Sequence, residues 1–405
     1  MKVAIVTSGY MPVPAATGGA VETLIDSLVA KNEEYGQLHL VIFSIYHPQA
    51  VEWSRGKKHT DYIFIKTPLL CRWIDRSIYG VAKMALGSRK SKSYRYIAQR
   101  LHYLSKVGNY LAKKDYDKVI LENHPTLFML LKKHHNMEKY IGKYYYHLHN
   151  EVTSSYGCKR QIIHCEKVLG VSRYIDQTLK QSVFELPEQK LDVLKNGIDL
   201  SRFSDPANQH AANYLRQTYG ILPSEKVILF TGRLSPEKGI KELLLAFHRL
   251  HFPNVKLVVA GGYFYGSHMS GRYERTLKEI AESMKERIIF TGFIPYRQMP
   301  AVYAMADFAV IPSLWDDPAP LTVIESMASG LPLITTQSGG IPEYVSDKCA
   351  IVLPRDGKLI DRLINSMKQL LLDQQLRLAM SKAGRKQAEK FTSDNFYQHF
   401  IEEIS

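Results

Sequence analysis

Gly232 Arg233 Leu234 Ser235 Pro236 Glu237 Lys238 Gly239 follows an apolar run, 227–230, and precedes a helically spaced one, 240–250. The pattern predicts a strand, a cationic turn and a helix, with Arg233 and Lys238 at the carboxyl end of a buried strand. Arg presents a planar fork and Lys a compact point charge, a combination suited to two adjacent phosphates. Each charge-assisted bond contributes roughly 1.5–3 kcal/mol. A solvated loop with ordinary surface cations is the plain alternative, and a second segment tips the balance. Asp317-Pro-Ala-Pro-Leu-Thr-Val-Ile-Glu325 ends 86 residues beyond Gly239. It predicts a helix from Leu321 to near Gly330, whose first amides, at Leu321 and Thr322, offer a phosphate seat because Pro320 has no N–H. Glu325 is flanked by Val323, Ile324 and Met327, so it reads as a mostly buried carboxylate in search of partners, such as the two hydroxyls of a ribose.

Outward from these segments the chain alternates strands and helices. Strands are predicted at 3–7, 38–43, 62–65, 118–121, 144–148, 167–171 and 191–194, then at 227–230, 256–260, 288–291, 308–311, 333–335 and 351–353. Alternation of this kind implies two α/β, doubly wound parallel-sheet domains. The boundary is expected near Asn196 to Asp199, giving an N-terminal domain of residues 1–200 and a C-terminal one of 201–388, with a last helix, 391 to about 403 within 389–405, returning to the first. Gly18 and Gly19 end a turn-rich loop after the first strand and permit close approach of backbone to a ligand. No Gly-x-Gly-x-x-Gly follows that strand, which argues against a dinucleotide dehydrogenase. Glu122-Asn-His124-Pro125 and His147-Leu-His149-Asn150 both follow predicted strands. Strand ends are where doubly wound sheets bind ligands, which makes His124, His149 and Asn150 candidates.

The chain resembles the retaining glycosyltransferases of family 4, of the bacterial polysaccharide-assembly type, over nearly its whole length. The resemblance implies the GT-B fold, two Rossmann-like domains facing a central cleft. It implies that Arg233 and Lys238 hold the donor diphosphate, that Glu325 binds the nucleoside ribose, and that Asp317 stands where the family has a Glu on the donor sugar. It further implies that Gly18 and Gly19 lie against donor phosphates and acceptor, that His124 reaches the donor sugar, and that Gly292 and Phe293 read the base. Ala319 and Pro320 stand where the family usually has Phe-Gly. The implied reaction moves a hexose, by default from a UDP sugar, to a lipid-linked glycan with retention, as in capsule or exopolysaccharide assembly. The departing β-phosphate takes the acceptor proton while Arg233, Lys238 and helix amides carry its charge. No carboxylate nucleophile presents itself. With no clustered His or Cys ligands in the sequence, no metal or other cofactor is expected. A nucleotide-sugar epimerase on the same scaffold and a non-catalytic glycan- or partner-binding homologue are the alternatives.

Charge is concentrated in one place. Residues 51–114 hold 15 Lys and Arg against Glu52, Asp61 and Asp75, a net +12 of the chain's +14. Trp73, Tyr79, Tyr94, Tyr96, Tyr103 and Tyr110 are interleaved. From Tyr94 a helix is predicted with a core stripe of Ile97, Ala98, Leu101, Leu104 and Leu111 and a face bearing Arg95, Lys106 and Lys113. A solvated face is one reading and nucleic acid another, but no nucleic-acid module accompanies the charge. The preferred partner is an anionic membrane surface. No apolar run reaches the 18 residues of a membrane span, and four cysteines without zinc or disulfide spacing suit a reducing compartment. The expected location is the cytoplasm, peripherally on the inner face of the plasma membrane. The sequence leaves the oligomeric state open.

Overall fold

The computed structural model describes residues 1–90, 95–183, 185–262 and 272–405, without the side chains of 86–90. The chain divides into two compact units, Met1–Leu194 with His399–Ser405, and Lys195–Gln398. Each is a parallel α/β sheet of Rossmann type. In the first unit the strands run in the order β3-β2-β1-β4-β5-β6-β7, formed by Lys2–Val6, His39–Ile45, Thr60–Ile65, Lys118–Glu122, Tyr144–Leu148, Val168–Gly170 and Leu191–Val193, numbered in chain order. In the second the order is β10-β9-β8-β11-β12-β13, with β8 Lys226–Thr231, β9 Val255–Ala260, β10 Ile288–Gly292, β11 Phe308–Ile311, β12 Leu333–Thr336 and β13 Ala350–Leu353. Every expected strand forms, with ends shifted by a residue or two.

Val3, Ala4, Ile5, Val6 on β1 and Val227, Ile228, Leu229, Phe230 on β8 are all fully buried. Such continuous apolar runs belong to strands covered on both faces by crossover helices. Strand order reverses between β1 and β4 in one unit and between β8 and β11 in the other, so the loops leaving those strands border a crevice where each sheet binds ligands. Most of the segments singled out in the sequence leave these four strands; His149 and Asn150 follow β5, and Gly292 and Phe293 lie at the end of β10.

The unit boundary falls at Leu194, a few residues before 200, and the return to the first unit starts at His399 rather than 389. The reason is local: Ile198 bridges Thr392, Gly197 packs so tightly on Thr392 that a Cβ would sit 2.3 Å from its carbonyl oxygen, and Phe391 stacks on Tyr344. Only the end of the last helix, Ser393–Ile404, joins the first unit, where Glu403 pairs with Lys167 at 2.7 Å.

Between β3 and β4 lie two helices, α2 (Leu69–Lys90) and α3 (Ile97–Lys113), after the first helix α1 (Ala20–Tyr35). The sequence pattern placed Leu101 in the core of α3, yet it is 53% exposed. Arg100, Tyr103, Leu104, Val107, Gly108 and Leu111 face inward instead. The Tyr103 hydroxyl reaches the carbonyls of Thr7 and Phe43 at 3.2 and 2.9 Å, and this anchoring turns the helix away from the face that hydrophobicity alone selects. Tyr94 and Lys92 of the basic segment lie outside the described residues, as do the side chains of Arg89 and Lys90.

Candidate active site

In the second unit, β8 ends at Thr231 and the chain turns through Gly232, Arg233 and a short 3-10 turn, Pro236–Lys238, into α4 (Ile240–Arg249). Gly239 makes the join with φ of +67°, and a Cβ there would fall 1.9 Å from the Pro312 carbonyl oxygen. Only glycine permits this turn to lie on the loop that leaves β11. The Glu237 carbonyl then accepts from the Leu314 amide at 2.8 Å. Loop to loop, the structure brings Lys238 to Asp317: the ammonium donates to the carboxylate, which also accepts from Ser313 Oγ at 3.1 Å. Lys238 lies near the Trp315 ring as well, at 5.9 Å.

A third loop, after β12, closes the arrangement. Thr336 and Ser338 hydroxyls donate to the Ser313 carbonyl at 2.6 and 2.8 Å, and the Gly340 amide donates to the Asp317 carbonyl at 2.9 Å. Asp317 is thus held from three sides. Arg233 is exposed and makes no hydrogen bond or ion pair with a described residue; the nearby Ser235 hydroxyl and a backbone amide, and behind them the charges of Arg233 and Lys238, hold the Glu237 carboxyl below its ordinary range.

Glu325 sits inside α5 (Leu321–Ala328) and is 4% exposed. Its carboxylate accepts from the Tyr303 hydroxyl at 2.6 Å and from Tyr296, and burial raises its pKa against those bonds and the nearby Arg202. Tyr303 also shares a 3.1 Å hydrogen bond with Thr231 Oγ1, so a hydrogen-bonded chain ties Glu325 to the strand end that carries Arg233. A carboxylate offers about four lone-pair positions; two phenols leave room for a diol. Sequence reading missed Tyr296, Tyr303, Arg202, Ser313 and Trp315; Ser313 and Trp315 were signalled only by following β11, while Arg202 and Tyr303 lie in short helices and Tyr296 in a 3-10 turn. The amides of Leu321 and Thr322 open α5 as expected, with Pro320 at the cap position. Gly292 ends β10 with φ of +70°, and Phe293 beyond it is 44% exposed.

In the first unit, Gly18 and Gly19 carry φ of +81° and +114°, and a Cβ on Gly19 would meet Glu22 Oε2 at 2.1 Å. Glu22 is buried, and burial with the nearby Glu122 and Asp26 pushes it up to about 7. His124 leaves β4 half-buried; its Nδ1 lies 2.8 Å from Thr126 Oγ1. His149 does not open outward: its Nε2 lies 3.0 Å from Glu122 Oε2, and His147 Nδ1 lies 3.1 Å from the same oxygen. Burial alone would raise Glu122, but the two imidazoles hold it well below the usual carboxylate range. Asn150 is exposed. The fold therefore clusters Glu122, His147 and His149, all buried, with donor atoms within 4.8 Å of one another. The expectation of no clustered ligands is corrected here. Alternate residues of one strand share a face, and parallel register sets Glu122 opposite His147, a pairing invisible without the strand alignment.

Two parallel-sheet units of Rossmann type are the elements of the GT-B architecture. Residues 213–387 match the sequence model described as Glycosyl transferases group 1, which with the fold supports a GT-B glycosyltransferase. Among relatives, the chain is 27% identical to the putative glycosyltransferase YtcC of Bacillus subtilis, over 96% of this chain and 88% of that one. It is 26% identical to spore coat protein SA of the same organism, over 96% and 95%. Among solved structures, Anabaena Alr3699/HepE in complex with UDP and glucose superposes with a TM-score of 0.74 at 18% identity, covering 100% and 99% of the two chains.

Proposed function

We propose that the protein transfers a hexose from a nucleotide sugar, with UDP as the carrier, to a lipid-linked glycan, with retention of anomeric configuration, in the assembly of a cell-surface polysaccharide. The observation that carries this reading is that Lys238, on the loop after β8 that also bears Arg233, meets Asp317 on the loop after β11, while Glu325 of α5 is tied through Tyr303 to the end of β8. The solved relative named above holds UDP and glucose. A Salmonella typhimurium relative, 28% identical over 54% of this chain and 57% of its own length, is a lipopolysaccharide 1,2-N-acetylglucosaminetransferase.

In this reading Arg233 and Lys238 grip the diphosphate, the Leu321 and Thr322 amides add helix N-terminal donors, and Glu325 accepts the ribose hydroxyls. As the glycosidic bond to the donor breaks, negative charge grows on the β-phosphate, where the two cations stabilise it. The β-phosphate oxygen takes the acceptor proton on the face that the acceptor enters, which is what gives retention. The diphosphate needs no metal because cations already surround it. Gly292 and Phe293 flank the base, His124 faces the donor sugar, and His149 and Asn150 lie on the acceptor side, His149 acting through its bond to Glu122.

The membrane part of the reading rests on α2. Leu69, Leu70, Trp73, Ile74, Val81 and Met84 are 42–83% exposed, and Arg72, Arg76 and Lys83 are exposed among them. An amphipathic helix with apolar residues outward and cations alongside suits the surface of an anionic bilayer at the inner leaflet. No described helix is long and apolar enough to cross a membrane.

Calorimetric titration with UDP tests the site. Glu325→Ala and Lys238→Ala are each expected to weaken binding by about 1.5–3 kcal/mol, roughly ten- to a hundred-fold, and EDTA is expected to leave the wild-type titration unchanged. Unaltered affinity in both variants would remove the assignment.

A further inference from the structure

Arg100 projects inward from α3 and is 7% exposed. Its Nε and Nη2 donate to Thr126 Oγ1 at 2.9 and 2.7 Å, and its guanidinium lies 4.8 Å from the centre of the Tyr10 ring. Nη1 is buried with no hydrogen-bond partner; it lies beneath Gly9, where a Cβ would stand 3.1 Å away. The charged or ionisable groups that act on Arg100 are Tyr10, Tyr103 and Tyr156. No described carboxylate pairs with it, and the segments outside the described residues contain no Asp or Glu. A desolvated cation with neither counterion nor a full set of acceptors is costly. An anionic ligand removes that cost.

The same network prepares His124. Thr126 Oγ1 accepts twice from Arg100, so its own proton is directed at His124 Nδ1, 2.8 Å away. The Thr126 amide also donates to Nδ1, at 3.3 Å. With Nδ1 accepting, the ring hydrogen belongs on Nε2. In this tautomer the ring is neutral, with its one N–H at Nε2. It serves as a donor. Tyr10 and Tyr156 flank the imidazole at 5.5 and 5.4 Å and are 48% and 49% exposed, so the rim lies open to solvent.

We propose that Arg100 and the Nε2–H of His124 form an oxyanion site at the switch point of the first unit, for a phosphate or carboxylate group carried by a substrate. On entry the anion displaces the Tyr10 ring from the guanidinium and takes up the Nη1 donor. The glycosyltransferase reading enters only in naming the ligand: a phosphate is what a lipid-phosphate acceptor supplies, and a carboxylate is what a uronic acid supplies. Both present charged oxygens to a fork of N–H groups.

The test is calorimetry on the full chain at saturating UDP, which fills the diphosphate clamp of the second unit, with methyl phosphate and glucuronate as separate titrants. One of them is expected to bind with a stoichiometry of about one, phosphate pointing to the lipid phosphate and glucuronate to an acidic sugar. Arg100→Met is expected to weaken that binding roughly tenfold or more, and Arg100→Lys to recover part of it. Should Arg100→Met lose its circular dichroism signal, His124→Ala removes the second donor at the rim and is expected to weaken binding in the same direction. Failure of both anions to titrate, or wild-type affinity in the folded variants, overturns the proposal. UDP affinity, read first, reports separately on the clamp.

Discussion

At the scale of single residues, Glu22 gives the sharpest handle. Its folded pKa is raised to about 7, above the unfolded value, so its protonated form stabilises the fold at low pH and that stability is lost as pH rises through 7. Asp26, raised to about 6 by burial, acts in the same sense. Glu22→Gln keeps the shape and discards the titration. The variant is expected to match the wild type in urea denaturation at pH 4.5 and to exceed it by a few kcal/mol at most, on the order of 2, at pH 8. Equal midpoints at both pH values would show that the carboxyl is not buried. Gly239 is the counterpart in the second unit: Gly239→Ala combines positive φ with a Cβ in contact with the Pro312 carbonyl. It should cost roughly 1–3 kcal/mol and weaken UDP binding by displacing Lys238 from Asp317, which thermal melts with and without UDP would show. The place of Arg233 and Lys238 on the turn after β8 was legible at this scale from the apolar run that precedes them. Tyr296 and Tyr303 were not, since a tyrosine in an apolar neighbourhood reads as core until its hydroxyl is seen to reach Glu325.

Among the elements, α2 and α3 carry a net +7 of the +12 in residues 51–114 and separate the two ways a basic segment is built. The outward side of α2 is apolar as well as cationic, so its affinity for anionic vesicles should have a part that salt removes and a part that it does not. Trp73→Ser with Met84→Ser is expected to abolish the salt-resistant part in vesicle flotation, and Arg72→Ser with Arg76→Ser the salt-sensitive part. Vesicle binding that survives all four changes would place the contact elsewhere. The helix from Leu321 was legible from the spacing of Leu321, Ile324 and Ala328. The facing of α3 was not, because the pattern ranked Leu101 above Arg100 by hydrophobicity alone. Hydrogen bonds from Tyr103 and Arg100 to the first unit's interior reverse that order, and no periodicity in the sequence carries this information.

For the whole molecule, two doubly wound parallel sheets were legible from the alternation of apolar runs, but the points where strand order reverses, β1/β4 and β8/β11, come from the structure. The end of the chain was harder to place. Phe400 and Ile404 are fully buried, and Glu403 binds Lys167, so the last seven residues complete the first unit. A chain ending at Gln398 is expected to lose roughly 3–5 kcal/mol from that unit while UDP affinity in the second is retained. Hydrogen exchange resolved by unit would show the loss confined to residues 1–194.

One small clasp links several of these features. The Asp75 carboxylate accepts from the backbone amides of Ala98 and Gln99 at 2.7 and 3.1 Å, and from the Gln99 side chain at 2.8 Å. It thereby fastens the outer helix to the turn that immediately precedes Arg100. The outer helix, with its exposed apolar and cationic side chains, is therefore pinned at a buried carboxylate to the first turn of the helix from which the guanidinium projects.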